Sequence, residues 1–395
     1  MTETVPSDPR FRGDLPERMD VVVVGGGVAG TSTAYHLAKA GVNTLLVERD
    51  HIGAGATSAA IGVFTPPMRQ PFDETVHFRG EQTARRIWEF ALRSVRGLGD
   101  LLESRGAASE VGLDLSGGHV LADAHSLHEV EQSYRALERA GFPVEWLSGE
   151  RVRSLAHGRG FLGGYRIEGG GCIAPTPAAV ELARAALDAG ATIREGVDVG
   201  DTRRTEGCMV VETREGDVRA EMVVYATHVD SRRFSTFLGD EIVPIRGEGM
   251  MTDPAPPMFK GSFSTYWKLN VWRSDAEGRL YLGGWRHDAW DRSYWKIRPE
   301  VDPQLQENIQ KWFESTFPEV GPLKVARRWS GIFGWTADYL PLVGPLPGRT
   351  GELVIAGFSG GGLPFAFESG RVIASIVAAG EPVPGAELLN PRRFT

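Results

Sequence analysis

Val21 to Val24 form an unbroken β-branched run, too short for a helix and followed at once by glycines, the pattern of a strand buried on both faces. Ala29, Ala34, Leu37 and Ala38 then recur at helical spacing as far as Gly41, where a left-handed cap is expected. Thr44 to Val47 is a second apolar run, so the pattern predicts strand, helix and strand in immediate succession. Further on, Ile87, Phe90, Ala91, Leu98, Leu101 and Leu102 predict a long amphipathic helix over Phe78 to Arg105. Residues 109–122 predict a strand pair around Gly117-Gly118, and Ser126 to Ala140 a helix closed by Gly141. A helix from Pro177 to Ala189 ends at Gly190, followed by strands in ATIREGVDV, at Cys208 to Thr213 and at Val218 to Ala226. Near the end, Leu353 to Ala356 runs into a glycine turn, and a helix begins near Leu363 with Phe367, Val372, Ile373, Ile376 and Val377 on its apolar side. Residues 1–18 carry no such pattern and are expected to be a disordered or loosely docked tail.

The glycines of the first unit carry chemistry. Gly25, Gly27 and Gly30 fill the spacing in which the first turns the chain, the second admits a pyrophosphate close to backbone, and the third packs helix on strand. The helix start at Val28 and Ala29 would supply N–H donors to that anion. Glu48 follows about twenty residues later, where a carboxylate accepts hydrogen bonds from an adenosine ribose. His51 to Val63 contains Ala56, Thr57 and Ser58 among small residues, a loop suited to lie against a long extended ligand.

Composition bounds the rest. With 395 residues, 42% of them hydrophobic, the chain can bury large cores and should divide into about two domains. A formal charge of −8 argues against a nucleic-acid partner. Cys172 and Cys208 make no disulfide framework, and neither they nor His119, His125 and His128 have metal-ligand spacing. The first twenty residues hold no apolar segment and no apolar run reaches the length of a membrane span, so the expectation is a cytoplasmic protein with no membrane partner, monomeric or homo-oligomeric.

Glu48-Arg49 followed by Gly-Ala-Thr-Ser-Ala-Ala resembles the D-amino-acid oxidase superfamily of FAD enzymes, and most closely its glycine oxidase and sarcosine oxidase branches. The resemblance implies an α/β plus α+β fold: a discontinuous Rossmann-like FAD-binding domain (residues 19–80, 152–233 and 326–395) and an antiparallel-sheet substrate domain (residues 81–151 and 234–325). It implies that Val199 holds adenine through its backbone, although a buried valine without a ligand would look the same. Ala226-Thr227-His228 stands where the family has Ala-Thr-Gly at the cofactor, and Gly331 where some sarcosine oxidases attach flavin to a cysteine, so non-covalent FAD is expected. Gly357, Ser359, Gly360, Gly361, Gly362 and Leu363 resemble the family's closing turn, whose helix would aim its N-terminus at the flavin pyrimidine edge.

The substrate residues match less well. Phe333 replaces the arginine that pairs with a substrate carboxylate, Pro364 replaces a lysine of the closing turn, and Tyr281 falls where an oxygen-activating lysine is expected. Arg69, Arg286 or Arg328 could supply the missing cation. Aromatic residues from Tyr266 to Trp295, with Phe333 and Trp335, suggest a roomy apolar pocket. The expected activity is an FAD-dependent oxidase of a small amine or amino acid, with a secondary amine or N-substituted glycine as substrate, glyoxylate or another aldehyde as product and O2 as acceptor. A dehydrogenase feeding a quinone or carrier protein, and a flavin-binding protein without turnover, are the alternatives.

Overall fold

The computed structural model describes residues 8–66, 70–254, 259–265, 270–284, 293–381 and 383–395. Two eight-stranded sheets organise it. In the first, the opening strand Arg18–Val24 lies between the parallel strands Thr44–Glu48 and Val218–Tyr225, with Thr192–Glu195 and Glu352–Ala356 parallel outside them. Val21 to Val24 are all buried, because helices cover one face and a second apolar layer covers the other. Leu342–Pro345 closes one edge antiparallel, and the hairpin Val199–Thr205 and Cys208–Thr213 attaches to Val218–Tyr225.

The second sheet runs Val325–Trp335, Val243–Thr252, Leu280–Gly283, Val271–Ser274, Ser262–Thr265, Gly118–Ala122, Gly163–Ile167 and Val144–Ser148. All its pairings are antiparallel except Ser262–Thr265 beside Gly118–Ala122. The expected fold class therefore stands, with a parallel sheet and a mostly antiparallel one.

Several boundaries differ from the expectation. The long amphipathic helix, expected from Phe78, runs Glu81–Ser104, because Gly80 at φ +79° separates it from a preceding helix, Phe72–Arg79, that takes in Phe78. The long helix spans both sides: Phe90, Val95 and Leu98 share a core with the first sheet and Phe365, while Ala84 and Trp88 pack with Val120 and Tyr165 of the second sheet. Gly163–Ile167 and Val325–Trp335, placed in the FAD domain by the sequence reading, belong to the second sheet. Around Gly117-Gly118 there is one strand, and Asp114 instead bridges to Cys172. Sheet membership follows from backbone pairing across long separations, which composition does not encode.

The tail also docks. From Asp8 the chain is anchored by buried Phe11 and by ion pairs of Asp8 with Arg10 (2.8 Å) and of Arg10 with Asp188 (3.1 Å). Gly362–Ala379 is the one described helix long and apolar enough to cross a membrane, at a mean hydropathy of 1.2, yet 61% of it is buried inside the fold. Its close partner is the first helix, Val28–Lys39, and Ser32 donates to the Phe367 carbonyl at 3.0 Å between them.

The crossing has no room to spare. A Cβ on Gly370 would lie 2.7 Å from the Ser32 carbonyl carbon and 2.8 Å from the Thr33 nitrogen, both backbone atoms that cannot swing away. Gly370→Ala is expected to cost about 1–3 kcal/mol by overpacking, read as a lower urea midpoint, and to loosen FAD retention because both helix N-termini shift. A midpoint equal to wild type would contradict this packing.

Candidate functional site

A cavity of about 690 Å³ runs from the ends of the parallel strands to the face of the second sheet. At its nucleotide end Gly25 has φ +109°, and a Cβ there would lie 2.8 Å from the Ala226 carbonyl oxygen. Gly27 caps the first helix without a side chain, leaving first-turn N–H groups of Val28 and Ala29 at the cavity, one of them satisfied by Thr57 Oγ1 at 3.1 Å from the Val28 nitrogen. Glu48 accepts from the Gly26 N–H at 2.7 Å and the Asp50 N–H at 2.9 Å. Burial nevertheless raises its pKa, and ribose hydroxyl donors would favour the charged form.

Arg49, Val199, Ala226 and Thr227 border the same end, with Arg49 paired to Asp230 at 3.0 Å. Further along, Ala56, Thr57 and Ser58 form a single small-residue turn that the second sheet clamps: Trp329 Nε1 donates to the Ala59 carbonyl at 3.0 Å, and Arg273 Nε to the Ile61 carbonyl at 2.6 Å. Gly331 borders the cavity, and a Cβ there would lie 2.3 Å from Ala59 Cβ, so the clamp leaves no space for a side chain.

Gly360, Gly361, Gly362 and Leu363 border the far end, where the closing helix starts with no side-chain cap. Three expected cofactor residues do not reach the cavity. Gly30 serves packing, since its Cβ would lie 1.8 Å from the Gly25 carbonyl oxygen. Gly357, at φ +70°, turns the chain against Thr336. Ser359 is buried, donating its N–H to the Gly334 carbonyl at 2.9 Å and accepting from the Thr336 N–H at 3.2 Å, which pins the closing turn to the second sheet.

On the substrate side, Arg69, Tyr266 and Arg286 lie outside the described residues. Phe333 borders the cavity. Tyr281 does not: its hydroxyl donates to Asp275 at 3.3 Å and its ring lies under the Arg273 guanidinium at 4.0 Å, beside an adjoining depression. Trp335 is buried behind the wall and edge-packed on Tyr339. Arg328 points to the opposite strand face, donating to Gln306 at 3.1 Å and to Gln310 at 2.5 Å. His228 accepts the Gly334 N–H on Nε2 at 3.0 Å, has φ +49°, and burial holds its pKa down to about 4. A left-handed backbone explains why glycine can occupy this position, and neutral imidazole fits a wall better than a base.

Features that sequence reading missed also shape the site. A Cβ on Gly247 would meet the Phe333 ring at 2.2 Å and one on Gly249 the Trp329 ring at 2.5 Å, so two bare positions let both rings lie flat on the sheet. The Gly-x-Gly repeat at 247–249 was the available signal. Behind this floor, Glu248 accepts from Gln306 Nε2 at 2.9 Å and the Asp302 N–H at 3.1 Å, with Arg246 Nε 3.5 Å away.

Burial pushes the Glu248 carboxyl from 4.5 up to about 7. Between those two values the folded protein holds a proton that the unfolded chain has released, so this group makes stability fall as pH rises through the window. Glu248→Gln is expected to flatten that slope and to raise the urea midpoint at pH 8 relative to wild type. An unchanged slope would show that another group titrates there.

Residues 20–376 match the family described as FAD dependent oxidoreductase, DAO. The chain is 27% identical to the glycine oxidase of Bacillus licheniformis, over 93% of this chain and 95% of that one. It is 27% identical to the gamma-glutamylputrescine oxidoreductase of Escherichia coli K12, over 91% and 83%. Its fold superposes on the glycine oxidase structure from Geobacillus kaustophilus with a TM-score of 0.81 at 25% identity, covering 95% of this chain and 98% of that one. The protein is thus a member of the DAO family of FAD-dependent oxidoreductases, an enzyme of the amine and amino-acid type that uses FAD.

Proposed function

We propose that the enzyme oxidises the C–N bond of a secondary amine or N-substituted glycine, with O2 as electron acceptor and non-covalent FAD. One observation carries the substrate class. Phe72, Ile87, Trp88, Val120, Tyr165 and Phe365 also line the cavity, an apolar chamber with more room than free glycine would use. The relation to a gamma-glutamylputrescine oxidoreductase, named for an amine larger than glycine, supports the roomier pocket.

FAD, when bound, takes up the hydride from the carbon beside nitrogen and hands two electrons to O2. The chain's residues do the rest by placement. Phe333 and Trp329 give a flat floor, and the apolar chamber excludes water and holds the N-substituent. The first turn of Gly362–Ala379 offers N–H donors and a partial positive charge where negative charge would build. For an N-substituted glycine the balance is R–NH–CH2–COO⁻ plus O2 and H2O giving R–NH2, glyoxylate and H2O2.

Non-covalent attachment is supported by Gly331 and by both cysteines. Cys172 sits buried in a strand paired with Val63, its thiol pushed up to about 11, and Cys208 lies in a hairpin of the first sheet; neither borders the cavity.

The test is anaerobic mixing of FAD-loaded protein with glycine, sarcosine, N-butylglycine and N-benzylglycine, followed by air. The N-substituted compounds should bleach the flavin fastest, and peroxide should then match the flavin reoxidised. Bleaching by glycine alone would overturn the substrate class, reduction without peroxide would point to a carrier or quinone acceptor, and no bleaching by any amine would overturn the oxidation itself.

A further inference from the structure

Phe333 leaves the chamber without an arginine at the position where relatives pair one with carboxylate. Among the described residues, four arginines border the cavity: Arg49, Arg79, Arg233 and Arg327. Arg49 and Arg233 are engaged at the nucleotide end, with Asp230 at 3.0 Å and Asp198 at 3.3 Å. Arg327 lies over the Trp329 ring at 5.1 Å, at the far end of its strand from Phe333. Six residues of strand separate the two, about 20 Å at roughly 3.3 Å per residue.

Arg79 is placed differently. It ends the helix Phe72–Arg79 and faces the turn at residues 336–340 that follows Phe333 and Trp335. Asp338 in that turn is already satisfied: Arg393 Nε and Nη2 donate to it at 2.8 and 3.1 Å, and the Leu340 N–H at 3.1 Å. Arg79 Nη1 stays 3.7 Å from the Asp338 carboxylate, beyond hydrogen-bond reach, and Nη2 donates to the Asp338 carbonyl at 2.8 Å. Two guanidinium groups thus share one carboxylate. Glu241 also acts electrostatically on this cluster, through Arg393 and Asp338. Arg79 is the less neutralised of the two arginines, and it borders the cavity.

Tyr339 adds an independent observation. Its φ is +63°, a conformation disfavoured for a bulky residue, and the residue is 41% exposed, its ring in edge contact with Trp335 at 5.6 Å. The turn over-determines that backbone: the Tyr339 N–H donates to Thr336 O at 3.2 Å, and Thr336 Oγ1 and Arg393 Nη2 donate to Leu340 O at 2.8 and 2.7 Å. Strain held this firmly, with so little of the ring buried in return, marks a side chain that is being presented. Tyr339 borders the same cavity as Arg79, one residue after the Asp338 that Arg79 bonds.

We propose that Arg79, framed by the Tyr339 ring, binds the carboxylate of an amino-acid substrate in this enzyme. The assignment rests on the amino-acid reading above and gives it a cation. An arginine against a carboxylate in a half-buried site adds a charge-assisted hydrogen bond that a neutral amide cannot match.

Benzoate and benzamide, equal in shape and different in charge, test it by calorimetric titration of FAD-loaded protein. Wild type should bind benzoate about tenfold or more tighter than benzamide. Arg79→Gln should bring the two within about twofold, and Arg79→Lys should retain part of the preference. Equal binding by wild type, a preference surviving in Arg79→Gln, or a preference abolished by Arg327→Gln instead would each overturn the assignment. Tyr339→Gly, which suits the left-handed backbone, should keep the wild-type melting temperature or raise it while weakening benzoate several-fold and leaving its preference over benzamide. A lowered melting temperature would remove Tyr339 from the subsite. These readouts need no turnover, so they stand apart from flavin bleaching. Amine oxidation without any carboxylate preference would sink the subsite alone.

Discussion

The constraint on which the cofactor groove depends is the crossing of the first helix with the closing helix, where Gly370 lies against the backbone of Ser32 and Thr33. It sets where two helix N-termini point. Both begin at glycines, Gly27 and Gly361, with no side-chain cap, so each leaves backbone N–H groups without an internal acceptor. Caps would have satisfied those donors locally. Leaving them open at one shared cavity suits a single long ligand with a pyrophosphate at one end and an electron-accepting ring at the other. Backbone donors fixed by packing lose little freedom on binding, which side-chain donors could not match.

The second sheet is held against this frame by a few polar clasps. Trp329 and Arg273 grip carbonyls of the small-residue loop, and Thr65 meets Ser262 at 2.9 Å and the Gly171 N–H at 3.1 Å. Because these bonds join the loop after Glu48 directly to the aromatic floor, the chamber keeps a fixed distance from the cofactor groove. Gly331 belongs to the same fit, since any side chain there would push the floor away from Ala59.

What was legible in the sequence was what neighbouring residues decide. The glycine spacing, the buried Val21 to Val24 strand and the acid at Glu48 are local, and all appear where expected. Gly30 packs helix on strand as its place in the spacing predicts, whereas Gly357 and Ser359, expected at the cofactor, turn and pin the closing loop, because a glycine-rich pattern does not separate a residue needed by a ligand from one needed by a neighbouring chain. Tyr281 failed for a different reason. Side chains alternate along a strand, so its alignment with a functional lysine could not establish that its ring turns toward Arg273 and Asp275. Arg79 and Tyr339 were invisible because 259 residues separate Arg79 from its partner Asp338, and only the folded turn reveals the strained φ.

The placement of charge also favours one protonation state of the substrate. An ammonium entering the chamber loses hydration and needs a carboxylate in exchange. Among the described residues the carboxyls at hand are poor counter-ions: Asp338 is held by Arg393, Glu48 lies at the nucleotide end, and burial pushes Glu248 up to about 7, so near neutrality it carries only part of a charge. His228, held neutral by burial, adds nothing to that balance. Among the described residues, then, the groups bordering the chamber offer an entering ammonium little to pair with, whereas a neutral amine keeps the free lone pair that loss of hydride from the adjacent carbon requires.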